Sequence, residues 1–96
     1  MAEKREMKVK ITDDVLKAAY ANFMRVAHTR EEFLLDFMNL FPPEGMVTAR
    51  VVTSPGHLKR IIKALRVNLN SYEKKFGIVQ EAPEPSGGEG IGFRTK

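Results

Sequence analysis

The chain has 96 residues, enough for one small domain, with 43% hydrophobic and 29% charged residues, an ordinary globular balance. It has no cysteine, which excludes a disulfide framework, thiol catalysis and thiolate metal sites, and no apolar run approaches the ~20 residues of a membrane-spanning helix. The net charge of +4 is concentrated: between Pro55 and Phe76 six basic residues stand against Glu73 alone, so that segment carries +5 and the remainder −1.

Residues 1–6 are polar and expected to fray. The opening MAEKREMKVK has no apolar block behind its charges, so a secretory leader is not expected and a cytoplasmic location is. Met7–Thr12 alternates Met7, Val9 and Ile11 with Lys8, Lys10 and Thr12, the pattern of a short edge strand whose lysines discourage pairing with other chains. Asp13–Ala18 fits either one helical turn capped by Thr12 or Asp13, or a loop. Ala19–His28 alternates again and is read as a strand, with His28–Glu31 as a hairpin turn.

The segment from Phe33 to Leu40 is contested. Thr29 and Glu32 have the spacing of a capping box, and Phe33, Leu34, Phe37, Met38 and Phe41 would form a helix face. As a strand, Phe33, Leu35 and Phe37 face one way and Leu34, Met38 and Leu40 the other. Local periodicity slightly favours the helix. The neighbours favour the strand, because sequential strands usually pair and a hairpin followed by one more strand makes a simple meander. Phe41-Pro42-Pro43-Glu44-Gly45 is a break. Met46–Thr53 is a strand, with Val47, Ala49 and Val51 on one face and Thr48, Arg50 and Val52 on the other.

The clearest signal follows. Ser54 can cap a helix, and Pro55 suits its first position. Leu58, Ile61, Ile62, Leu65, Leu69, Tyr72 and Phe76 then trace one face of a 3.6-residue period, and Gly77 stands where a left-handed cap would end it. Ile78 and Val79 remain candidates for the edge of the core. Residues 80–96 are rich in Pro, Gly, Ser and Glu and are expected to be a disordered tail.

The fold expected is therefore α+β over residues 7–79. A small antiparallel meander of three to four strands precedes one long C-terminal amphipathic helix, for which the rest of the chain provides a surface. One helix covers one sheet face. If Phe33–Leu40 is a strand, both its faces are apolar, and the second needs cover at ~25 cal/mol per Å2. A second copy of the chain is the most economical cover, so a homodimer is expected.

Sites are few. Asp36 lies in an apolar strand and must be paired if buried; Arg50 on the neighbouring strand is the expected partner in a structural ion pair. His28 and His57 fall in a turn and a first helical turn, outside any metal-ligand spacing. Ser54-Pro55-Gly56-His57 could hold an anion at a helix start, but an ordinary cap is preferred. No nucleophile elbow, P-loop or dinucleotide fingerprint occurs, so neither catalytic residue, cofactor nor metal is expected. Lys59, Lys63, Arg66 and Lys74 form a basic stripe along the helix that could contact phosphates, although aromatics are not interleaved with it and a solvated face is the preferred explanation.

Several stretches resemble, in order, a family of small bacterial and archaeal proteins known only as a domain of unknown function. They are Tyr20-Ala21-Asn22, Glu31-Glu32-Phe33-Leu34-Leu35-Asp36-Phe37, Arg50-Val51-Val52-Thr53-Ser54-Pro55 with His57, Lys59 and Arg60, then Asn68, Tyr72-Glu73 and Phe76-Gly77. The likeness runs over about residues 18 to 78. Members often carry glycine just before the Tyr-Ala-Asn unit, where this chain has Ala18-Ala19. The resemblance implies a compact α+β domain, leans toward the strand for Phe33–Leu40, and brings no activity with it. The function expected is a non-catalytic, homo-oligomeric interaction module whose tail or sheet edge docks another protein. The alternative is a nucleic-acid-binding dimer using the basic face of residues 55–76. No membrane association is expected.

Overall fold

A computed structural model describes residues 6–85. The elements in order are α1 (Asp13–Leu16), β1 (Phe23–His28), β2 (Phe33–Phe41), β3 (Glu44–Thr53) and α2 (Pro55–Phe76). The strands form one antiparallel sheet in the order β1-β2-β3, followed by the long helix. The expected frayed start and disordered tail lie outside the described residues at positions 1–5 and 86–96; residues 80–84 carry no helix or strand.

The contested segment is a strand. The Thr29–Glu32 spacing that suggested a helix start has a different use. Thr29 Oγ1 accepts from the backbone N–H groups of Glu31 and Glu32, and Thr29 N donates to Glu32 O. A hydroxyl that can satisfy N–H groups at a helix start has instead closed a hairpin turn. That turn spans Thr29–Glu32, one residue later than expected, and pairs His28 with Phe33.

Three expectations along the sheet are corrected. Met7–Thr12 forms no strand: it pairs with nothing in the sheet, and Met7, Val9 and Ile11 are exposed. Hence the sheet has three strands. The strand expected from Ala19 begins only at Phe23. Before it, the Asn22 side chain takes over the pairing: Nδ2 donates to Leu40 O at 2.9 Å and Oδ1 accepts from Leu40 N at 2.8 Å. A side-chain amide thus supplies both bonds that a backbone partner would give. In β3 the alternation slips, because Phe37 faces Ala49 while Met38 faces Val47. Thr48 is the extra residue of this bulge. Val47 therefore shares a face with Arg50 rather than with Ala49, and Thr48 Oγ1 bonds the carbonyl of Phe37 at 3.1 Å. The Pro42-Pro43 break is a two-residue turn with a cis peptide bond, so the strands run up to it on both sides. Gly45 lies opposite Leu40, where any Cβ would run into the leucine side chain.

The helix has the expected limits. Ser54 Oγ accepts from His57 N, Pro55 opens the first turn, and Gly77 N donates to Glu73 O. Gly77 has a φ of 104° and a ψ of 169°, so it ends the helix at positive φ but not in the left-handed helical well. Glu73 also accepts from Val79 N through Oε2.

The helix does not, however, lie on the sheet of its own chain as expected. None of its residues is buried. Leu58 and Ile61, near the strand end, are half-buried; Leu65 and Phe76 are each 66% exposed and Tyr72 is 50% exposed. Only Leu35, Asp36 and Met38, all on β2, are buried among the described residues. Ile78 is exposed as well, and belongs to no core edge.

Candidate functional site

The centre of the sheet is ionic. Antiparallel register puts Asp36 opposite Arg25 on one side and Arg50 on the other. Directly opposed residues share a face, so three charged side chains form a row across three strands. Arg50 grips the carboxylate with a two-point fork: Nε donates to Oδ1 at 2.7 Å and Nη2 to Oδ2 at 3.0 Å. Arg25 Nη2 adds a third bond to Oδ2 at 3.1 Å. Asp36 is 1% exposed, and no buried side-chain polar atom lacks a partner among the described residues.

The electrostatics follow from this geometry. The Arg50 fork is the largest influence and holds the Asp36 carboxyl below its ordinary value of 3.8, at about 2. Burial pushes the other way, and Arg25 helps the fork prevail. Asp36 in turn holds the Arg50 guanidinium more firmly protonated. A carboxylate ionised down to such low pH has no proton to donate at neutrality and is a weak base. Its oxygens already accept three bonds. The row suits structural fixation of the strands, with a net charge of +1 at the sheet centre.

Asp36 and Arg50 meet directly, while Arg25 was not foreseen. Its signal lay in the turn. A loop of Thr29–Glu32 pairs His28 with Phe33, and three pairs further along the ladder Arg25 must face Asp36.

The histidines serve local structure. The His28 ring lies 5.2 Å from that of Phe33 across the hairpin. His57 Nδ1 accepts from Arg60 Nε at 3.1 Å, and its backbone N–H is taken up by Ser54. Among the described residues no group of three His, Cys, Asp or Glu side chains could hold a metal ion. A cavity of about 260 Å3 opens beside the β1–β2 turn, lined by Ala27, His28, Thr29, Glu32, Leu34 and Val52. It is smaller than the ~300–1,000 Å3 of common ligand pockets, and its lining offers few convergent polar groups.

Lys59, Lys63, Arg66 and Lys74 are all exposed along α2, and none forms an ion pair among the described residues. They lie on a separate flank from the apolar stripe. No described helix is long and apolar enough to cross a membrane.

The family model described as "Protein of unknown function (DUF3467)" matches residues 1–81. The chain belongs to that family. No curated protein and no solved structure matches it.

Proposed function

We propose that this member of the DUF3467 family works as a homo-oligomeric, non-catalytic interaction module in the cytoplasm, with a dimer as its working form. The observation that carries this reading is the mismatch between two kinds of surface. The buried side-chain polar atoms among the described residues all find partners within one chain. The apolar groups do not: the sheet buries Leu35 and Met38, while the stripe of α2 stays open. Apolar surface on this scale marks an association site. Against enzymatic work stands the chemistry of Asp36, whose oxygens are fully engaged and whose pKa lies far from neutrality. The open edges of β1 and β3 are where a further protein could add a strand.

Sedimentation equilibrium of the full chain across micromolar concentrations tests the reading. A mass of twice the chain is expected, and a monomer throughout would overturn it.

A second reading has its own observation. The stripe of Lys59, Lys63, Arg66 and Lys74 is exposed and without ion-pair partners among the described residues, as a phosphate-contacting surface requires. Titration with DNA and RNA at two salt concentrations tests it. Binding should weaken with salt, and Lys63→Glu with Arg66→Glu should weaken it further and flatten its salt slope. No binding at low salt removes this reading and leaves the first intact.

A further inference from the structure

Two apolar surfaces lie open in one chain. The first is the sheet face opposite the ionic row. There the register places Met24 beside Phe37, and Leu35, itself buried, between Val26 and Val51. Met24, Val26 and Val51, on the outer strands, are each nearly half exposed. The second surface is the stripe of α2.

Their dimensions match. The stripe from Ile62 to Phe76 is about 21 Å long at ~1.5 Å per residue. Three strands set ~4.8 Å apart make a face about 10 Å wide, and a helix with its side chains is about 10 Å across. One helix therefore covers one such face. The helix of the same chain does not, and the joint explains why. Ser54 alone separates Thr53 from Pro55, whereas the connections that return a helix onto its own sheet commonly have ~2–6 residues.

We infer that α2 of one copy lies on the apolar sheet face of a second copy, whose own α2 lies on the first. This rests on the homo-oligomeric reading above and specifies its interface. A two-fold exchange closes on itself and covers both surfaces in both copies. Sheet-on-sheet packing would leave both helices bare, and helix-on-helix packing would leave both sheets bare. The area is sufficient. Some eight large apolar side chains with roughly 100 Å2 open on each amount to about 800 Å2 per copy, the size of a standard specific interface. Docked in this way, α2 keeps Lys59, Lys63 and Arg66 on its free flank, where they need no partner.

The test is an isotope-filtered NOE experiment on full-chain protein, in which half of the chains carry 13C and half do not, with sedimentation measured on the same sample. Cross-peaks between the Val26 and Val51 methyl groups of one copy and the Leu65 and Leu69 methyl groups of the other are expected. A dimer whose intermolecular cross-peaks join only sheet to sheet or helix to helix overturns the exchange and leaves the oligomeric reading standing. A sample that sediments as a monomer overturns both.

Discussion

The sheet and the helix solve opposite halves of the folding problem. In the sheet, Asp36 gains three bonds from Arg25 and Arg50, and each central group finds its partner in the same chain. In α2, Ser54 caps the first turn and Glu73 accepts from Gly77 N and Val79 N at the last, yet a 22-residue helix buries no side chain. The directional interactions of buried side chains are complete within one chain among the described residues; the non-directional one, apolar burial, is not. A buried ion row fixes which strands meet and in what register, but it is a poor source of net stability. Most helical stability in proteins comes from packing an amphipathic face. On the dimer proposed above, this chain specifies its geometry internally and draws further stability from association.

That contrast can be broken from either side. The largest effect is expected from Leu65→Asp with Leu69→Asp, which places two charges on the open stripe. The dissociation constant should rise by at least about 100-fold, as loss of central interface anchors does, and sedimentation would read it directly. Next comes Asp36→Ala, which strips the shared acceptor from two arginines. Thermal unfolding should show a pronounced loss of stability, and the amide dispersion of β1 and β3 should collapse, because neither arginine retains a carboxylate. If the variant instead melts like wild type, the row does not organise the sheet.

Acid offers a graded version of the same test. The folded pKa of Asp36 is lowered, so its contribution to stability is fully present above the ordinary value of 3.8 and lost as pH falls from there to about 2. Denaturant midpoints measured from pH 5 to pH 2 should decline, and the part of the decline that disappears in Asp36→Asn belongs to this group. A smaller effect is expected where the two regions join. Ser54→Ala removes the hydroxyl that accepts from His57 N and should cost about 1 kcal/mol in denaturant unfolding.

Local signals made the helix legible. Ser54, Pro55, the 3.6-residue stripe and Gly77 are sequence neighbours of the structure they specify, and α2 spans Pro55–Phe76 as expected. The sheet was less legible because its determinants are not local. Periodicity alone favoured a helix over Phe33–Leu40, and adjoining strands overrode it. Arg25 escaped notice because its place opposite Asp36 depends on the length of a turn that begins four residues further along the chain. The bulge at Thr48 broke a clean alternation that no neighbouring residue interrupts. Amphipathicity marked one face of α2 as apolar; it carries no information about what lies against that face.

The smallest predicted effect concerns the entry to the sheet, which belongs to neither region. Ala18 has a φ of 65°, in the left-handed region where a Cβ is crowded. Its N–H donates to Val15 O at 3.0 Å, so the residue closes the single turn of α1 and redirects the chain toward Asn22 and β1. Glycine adopts this conformation without a steric penalty. Ala18→Gly should therefore stabilise the fold by about 0.5–1 kcal/mol, the relief of strain being partly offset by the greater freedom of glycine in the unfolded chain. Denaturant unfolding measures the gain. The same substitution at Ala19, whose φ is not positive, supplies the control: it should give no gain, and an equal gain at both positions would mean that strain at Ala18 is not the cause.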